Sequence, residues 1–373
     1  MLKIKEISGY EEFMAMKDAW SDLMSKSNAD NLYLTHDWID SYIRNCCNGD
    51  KLVMLTVFDD SVLIGIAPLM IRKYSFMGIT VKSVCFIGTG GSDRMDFIIG
   101  ASKEKCILSI MDYLMNISKD WDFLDFQEIL GYSGTAETME KWGNFRKLKF
   151  ISTFRDKTFF INLNSDADFL LNKVSKKLDT KMRKLNKKVR GNLEFRRYMP
   201  NELKESFFSD IQFIAKRSWK AEKQKSIFLK EKVKDFHREL FSGFAKSGYL
   251  DVSILRLDNT PIAYIYNFLY NDRLYNYSID FNNRYSHISP GSILMLWIIK
   301  DSVSRGVKEI DFGRGEEEWK KRLTQDFRMH AKVRIFNDSF YGKSLYLIYS
   351  GIEFIKRHRL IYKILRKVKQ RFL

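Results

Sequence analysis

Proline is nearly missing from this chain, with four residues in 373. There is no serine- or glycine-rich tract either, so no long flexible linker is expected and any domains should abut. Cysteine is equally scarce: Cys46, Cys47, Cys85 and Cys106 are the only four. The adjacent pair Cys46-Cys47 suits neither a disulfide framework nor a zinc site, which favours a reducing compartment. His36, His237, His287, His330 and His358 are too widely separated to form a metal motif, and no Gly-x-Ser-x-Gly nucleophile motif occurs. No apolar run approaches ~20 residues, and the opening Met1-Leu-Lys-Ile-Lys has no apolar signal core. The expectation is a cytoplasmic protein that neither spans a membrane nor leaves by the usual export route.

What is present points to packed globular structure. Hydrophobic residues make up 45% and charged residues 29%, as in a folded protein with a core, and the length is comfortable for two domains. A formal net charge of +17 predicts an anionic partner, whether nucleic acid, lipid headgroups or a phosphorylated substrate. Composition does not choose among them.

Periodicity places the elements. Phe13, Trp20, Leu23 and Met24 suit one amphipathic helix, and Trp38, Ile39, Tyr42 and Ile43 suit a second. A hairpin follows, Leu52 to Phe58 and Val62 to Ile71 about a turn at Asp59-Asp60, with Gly65 and Pro68 signalling a bulge or an edge strand. Val81 to Ile87, a helix from Lys103 to Ser118, the strand Trp121 to Phe126, a helix over Glu137 to Phe145 and the strand Thr158 to Ile161 complete the first half. Helices near 166–190, 201–219 and 229–246 open the second half. They lead to strands at Leu250 to Leu257, Pro261 to Tyr270 and Leu274 to Ile279, the helix Pro290 to Ser304 and the strand Lys308 to Phe312. Both halves carry a hairpin with an acidic turn (Asp59-Asp60; Asp258-Asn259). Both later carry a helix and then a strand ending Asp-Phe (Asp125-Phe126; Asp311-Phe312). A duplicated unit accounts for this shared order.

Several stretches carry chemistry-bearing residues. Ser289-Pro290-Gly291-Ser292 reads as a helix start: serine at the N-cap, proline where no amide donor is needed, and glycine for close backbone approach. Free amides and the helix dipole at such a point attract a pyrophosphate. Asp311-Phe-Gly-Arg-Gly-Glu-Glu-Glu-Trp-Lys320 follows at a strand end, where open α/β sheets place ligands, with Arg314 and Lys320 as cations and Glu316 to Glu318 as carboxylates. The bland reading of each is an ordinary helix start and a surface turn. The helix Leu171 to Arg190 has an apolar stripe of Val174, Leu178, Met182, Leu185 and Val189 inside a basic surround that includes Lys177, Lys181 and Arg183. It is either a solvated face or a landing strip for a nucleotide-sugar, a polyprenyl-phosphate or tRNA. The C-terminal stretch sets Phe354, Ile361, Ile364, Leu365, Val368 and Phe372 among eight cations, with no acid after Glu353. It reads equally as an interfacial helix on an anionic membrane and as a docked terminal helix. Asp93 and Asp96 cap or line a loop of the first half, with Asp96 a candidate acceptor contact, and Trp219 reads as a core anchor.

The ordered set resembles the CelD-like branch of the GNAT acyltransferases, associated with cellulose and other polysaccharide biosynthesis. It comprises the tyrosine-rich hairpin, the Ser-Pro-Gly helix, the Asp-Phe-Gly-Arg-Gly strand end and Trp319-Lys320, with Gly65-Ile-Ala-Pro-Leu-Met70 and Ser92-Asp-Arg-Met-Asp96 in the first half. The branch is similar in architecture to the Fem-type aminoacyltransferases, which also carry two GNAT-like lobes.

The resemblance implies an α/β (α+β) fold of tandem GNAT-like lobes, mixed sheets flanked by helices, over 1–164 and 165–340, with a basic C-terminal helix over 341–373. It implies acyl-CoA, probed first as acetyl-CoA, as co-substrate with no permanent cofactor. Ser289, Pro290, Gly291, Ser292 and Arg314 would hold it, although Ser286-His-Ile-Ser289 lacks the usual Arg/Gln and first Gly. Lys320 would face the reacting carbonyl, and Asp311, Glu316 and Tyr285 are unranked candidates for the base. The acceptor implied is an amine on a sugar-nucleotide or lipid-linked glycan, at the inner membrane surface if the tail docks there. Charged tRNA as donor is the alternative, and non-catalytic binding on a degenerate scaffold a third.

Overall fold

The computed structural model describes residues 2–7, 9–47, 49–164, 167–186, 191–198, 205–223, 226–229 and 231–358. In chain order the elements are β1 (Lys3–Ile7), α1 (Tyr10–Ala15), α2 (Lys17–Lys26), α3 (His36–Cys46), β2 (Lys51–Asp59), β3 (Val62–Phe76), β4 (Ile79–Phe86), β5 (Ile98–Ile99), α4 (Lys103–Asn116), β6 (Phe123–Leu130), α5 (Thr135–Phe145) and β7 (Phe150–Asn162). There follow α6 (Ala167–Asn186), β8 (Leu193–Tyr198), α7 (Glu205–Ala215), α8 (Trp219–Glu222), α9 (Glu231–Lys246), β9 (Leu250–Leu257), β10 (Thr260–Tyr270) and β11 (Arg273–Phe281). The last are α10 (Pro290–Ser304), β12 (Glu309–Arg314), α11 (Glu318–Lys321), β13 (Phe327–Phe336) and α12 (Phe340–Arg357). Among the described residues no helix is long and apolar enough to cross a membrane.

Two compact units emerge, one of Met1–Asp30, Gly49–Arg155 and His330–Leu373, the other of Asn31–Asn48 and Asp156–Met329. This differs from boundaries at 164/165 and 340/341, and side-chain packing is the reason. Trp38 of α3 is fully buried, edge-on to Phe236, Phe268 and Tyr277, so α3 joins the second unit. β13 returns to pair antiparallel with β6 from His330↔Leu130 to Phe336↔Phe123. Behind it α12 packs Leu345 and Tyr349 on Val81, Phe123 and Phe336, so its described part is a docked helix. The remainder of the basic tail, from 359, lies outside the described residues.

In the first unit β1, β2, β3 and β4 form an antiparallel run, β4 meets β6 in parallel at Ser83↔Phe123 and Val84↔Leu124, and α4 makes the crossover. A register shift beside Gly65 is the expected bulge. Pro68 is not on an edge strand, because β3 pairs on both sides. Its ring is tolerated where pairing with β5 has ended at Ile66 and pairing with β4 begins only at Leu69.

The second unit repeats this plan. β8, β9, β10 and β11 run antiparallel, β11 meets β12 in parallel, α10 makes the crossover and the latter half of β7 flanks β12. Its hairpin turns carry two residues of positive φ each, Asp258-Asn259 and Asn271-Asp272, the backbone that lets a two-residue turn match strand twist. α10 is apolar all round because the sheet covers one side and Val174, Leu178 and Leu185 of α6 the other. Val174, Leu178 and Leu185 of the expected stripe are thus core and Met182 packs half-buried against them, while Val189 lies outside the described residues.

Candidate active site

The second unit's sheet opens where its two parallel strands part. β11 and β12 pair only at Arg273↔Glu309, Leu274↔Ile310 and Tyr275↔Asp311. β11 then runs on for six residues to Phe281 against β10 alone. A register shift between Tyr266↔Ser278 and Asn267↔Asn276 leaves Tyr277 as an extra residue. Such a bulge strengthens local twist and re-aims the side chains beyond it.

Beyond the bulge Asp280 is only 1% exposed. Its Oδ1 accepts the Phe281 N–H at 3.0 Å, while Oδ2 has no hydrogen-bond partner. Burial raises its pKa, opposed by the nearby Lys220 ammonium, the Ser218 hydroxyl and that Phe281 amide. Lys220 donates from Nζ to the Ile279 carbonyl at 2.5 Å. Its own pKa is lowered, chiefly by burial, against the pull of Asp280 and Glu317. Ser218 caps α8 by accepting the Ala221 N–H, which fixes Lys220 over β11. Next along the same face, Tyr264 Oη and Ser278 Oγ lie 3.3 Å apart, and burial pushes the Tyr264 phenol up.

Lys320, on α11, holds the end of β12 in a matching way. It is 3% exposed and donates to the Gly313 carbonyl at 3.0 Å and the Arg314 carbonyl at 2.7 Å, with Glu317 at 2.8 Å. Its three N–H bonds are thus engaged in holding the strand end to α11, a different task from facing a reacting carbonyl. Each parted strand therefore has a lysine on its carbonyls, Lys220 on β11 and Lys320 on β12.

The other expected residues fall as follows. Asp311 is buried at the parting point, its Oδ1 accepting the Gly313 N–H at 2.9 Å and its Oδ2 3.9 Å from Arg328. Glu316 is paired with Lys157 at 3.7 Å and Lys321 at 3.5 Å, and Tyr285 packs against the core below α10. None of the three has the spare buried carboxylate oxygen that Asp280 has.

Ser289 stands at the N-cap position of α10, but in the left-handed region at φ 55°, and its side chain makes no cap bond. Instead Ser289 O accepts the Ser292 N–H at 3.1 Å. Pro290 is at the helix start as expected and is buried with Gly291, whereas Ser289 and Ser292 are exposed. A Cβ on Gly291 would lie 3.4 Å from Ile279 and 3.5 Å from Phe281, ordinary contact, so α10 begins beside the free end of β11. Arg314 ends β12, half-buried. The site brings together the α10 start, the β11 end and the β12 end.

Three other candidates are on α6, which packs against α10, and one belongs to the first unit. Lys177 and Arg183 are exposed on α6 and Lys181 is half-buried there. Asp96 belongs to the first unit and is satisfied: Oδ1 accepts Thr135 Oγ1 at 2.7 Å and the Phe97 N–H at 2.8 Å, with Lys103 3.7 Å from Oδ2. Burial raises its pKa, countered by Lys103 and Thr135. Trp219 is 38% exposed rather than a core anchor.

Sequence reasoning missed Asp280 and Lys220. The tyrosine-rich strand was expected to end at Ile279, and alternation gives no sign of the bulge that puts Asp280 on the face of α8. Among the described residues no group of His, Cys, Asp and Glu is arranged to hold a metal.

Residues 172–321 match the model of a family described as an acetyltransferase (GNAT) domain. No curated protein matches the sequence significantly. Among solved structures, FemX aligns with a TM-score of 0.61 at 11% identity, covering 93% of this chain and 99% of FemX. The C-terminal domain of a putative lysylphosphatidylglycerol synthetase from Agrobacterium fabrum aligns with a TM-score of 0.55 at 11% identity, over 89% of this chain and 95% of that one. A tandem GNAT protein from the clavulanic acid biosynthesis pathway aligns with a TM-score of 0.53 at 8% identity, over 91% and 100%. At these identities the likeness concerns fold. The chain has a tandem GNAT-like fold, and the stretch that matches the acetyltransferase (GNAT) model lies within its second unit.

Proposed function

From a GNAT acyltransferase domain over residues 172–321, we propose that the chain transfers an acyl group, acetyl in the first instance, from acyl-CoA to an amine of a sugar or glycoconjugate precursor. The observation that carries the reading is Asp280, a buried carboxylate with one oxygen unpartnered at the parted end of β11. The thioester enters where β11 and β12 separate. Its pyrophosphate meets the α10 start, with the exposed hydroxyls of Ser289 and Ser292 and the Arg314 guanidinium as donors. Asp280 takes a proton from the acceptor ammonium, and its raised pKa makes it a stronger base than an ordinary aspartate. The neutral nitrogen forms the C–N bond, the C–S bond breaks, and the CoA thiolate leaves with the nitrogen's second proton. Lys220 keeps Asp280 ionised before the transfer.

A sugar amine as acceptor follows the resemblance to the CelD-like branch and places the enzyme in polysaccharide or cell-envelope assembly. The exposed cations Lys173, Lys176, Lys177 and Arg183 on α6 favour one second reading, an aminoacyl-tRNA donor as in the Fem-type enzymes. Release of CoA thiol from acetyl-CoA across a panel of amino sugars, nucleotide-linked and free, tests the first. Acceptor-dependent release supports it. No release, with thermal stabilisation by aminoacyl-tRNA and none by acetyl-CoA, replaces it with the second.

A further inference from the structure

The first unit presents an apolar surface that its own fold leaves uncovered. On α12, Leu345, Tyr349 and Glu353 are buried against the sheet. Opposite them Phe340 is 88% exposed, Leu347 69% and Phe354 57%. Spaced by seven residues, these three lie in one line along the helix. Large apolar side chains in register on a solvated face mark an interaction surface, whereas isolated ones do not.

A second element adds to it. The β3–β4 hairpin turns at Met77-Gly78, with Met77 at φ 50° and 76% exposed, followed by Ile79 at 37%. Asparagine or glycine suits a left-handed turn position, and a methionine there, largely exposed, carries backbone strain. Tyr341 Oη donates to the Thr80 carbonyl at 2.7 Å, and Phe76 stacks on Tyr349 at 4.8 Å. The hairpin tip and the start of α12 are thereby joined.

Charge identifies the occupant. Lys343, Lys356 and Arg357 are exposed on α12, with Lys343 2.9 Å from Asp338 and Lys356 2.9 Å from Glu353. In sequence six further Lys and Arg residues and no Asp or Glu follow from 359 to 373, outside the described residues. Two copies of this chain meeting there would bring like charges together, which costs association. A bilayer with anionic headgroups meets both requirements, burying the aromatic and aliphatic side chains at the acyl boundary and pairing the cations with phosphates.

We propose that Phe340, Leu347 and Phe354 of α12, with Met77 and Ile79 of the neighbouring hairpin, form a docking surface for anionic lipid bilayers. The proposal stands apart from the acyl-transfer reading, since these residues lie outside the 172–321 domain. The full chain is sedimented with vesicles of phosphatidylcholine alone and of phosphatidylcholine mixed with phosphatidylglycerol, at low and high salt. Expected is pelleting with the mixed vesicles that weakens as salt rises. The triple variant Phe340→Ser/Leu347→Ser/Phe354→Ser should bind roughly tenfold or more weakly. Its circular dichroism and melting temperature should match the parent, because all three side chains are exposed. Wild-type pelleting by the triple variant would overturn the proposal. So would a parent dimer that binds no vesicles and becomes a monomer in the variant, which would assign the surface to a second copy.

Discussion

Replacing Asp280 by asparagine keeps the shape of the side chain and removes its charge. The Phe281 N–H bond to Oδ1 can survive the change, and Oδ2 has no partner to lose. As a general base Asp280 should be worth about 10²–10⁴ in kcat. Stability should move the other way. Burial raises the pKa of Asp280 in the folded chain. Its contribution to stability is therefore complete below the unfolded value of about 3.9 and is lost as pH rises through the raised folded value. At mildly alkaline pH the ionised carboxylate is a cost, and Asp280→Asn should melt at a higher temperature than the parent. Near the unfolded pKa that gain should vanish. Release of CoA thiol followed with pH supplies the activity arm: the parent rises as Asp280 ionises, and the variant lacks that limb. Paired melts at the two pH values supply the stability arm. A variant with parental kcat, or one destabilised equally at both pH values, refutes the assignment.

Lys320→Met strips the Gly313 and Arg314 carbonyls of their buried donor and should cost roughly 2–5 kcal/mol in chemical denaturation; lost activity with parental stability would return Lys320 to the chemistry. Ser289→Gly should stabilise by about 1 kcal/mol, because the serine is left-handed and makes no cap bond, and a lower melting temperature would contradict that. Gly342→Ala puts a Cβ 2.2 Å from the Asn337 carbonyl oxygen. It should cost about 1–3 kcal/mol and loosen α12, read as faster amide exchange along that helix. Trp38→Ala should cost about 3–5 kcal/mol, since its ring is fully buried among Phe236, Phe268 and Tyr277; a melt within a degree or two of the parent would contradict the packing.

Much of the architecture was legible because hairpins and crossover helices are local. The turns at Asp59-Asp60 and Asp258-Asn259, the helices α4 and α10 and the strand ending near Phe312 fall close to where periodicity puts them, while the strand expected to end at Phe126 runs on to Leu130. β13 shows an alternation that went unread, with Arg328, His330, Lys332 and Arg334 interleaved with Met329, Ala331, Val333 and Ile335. Among its cations, Arg334 lies 2.9 Å from the buried Asp125 of β6. On α6 the spacing of Val174, Leu178 and Leu185 already marks the buried face, and packing on α10 shows what covers it.

The sequence by itself determined the duplicated strand–helix plan, the helix start at Pro290 and the basic character, all properties of residues close together in the chain. Tertiary structure decided the composition of each unit and the identity of the buried carboxylate. α3 enters the second unit, and β13 and α12 return to the first, through contacts made across 200 residues or so, as at Arg334 and Asp125. Asp280 became the site's unpartnered acid because one extra residue, Tyr277, shifted the alternation of β11 beneath α8. A pairing register is a relation between strands, and no single strand's sequence records it.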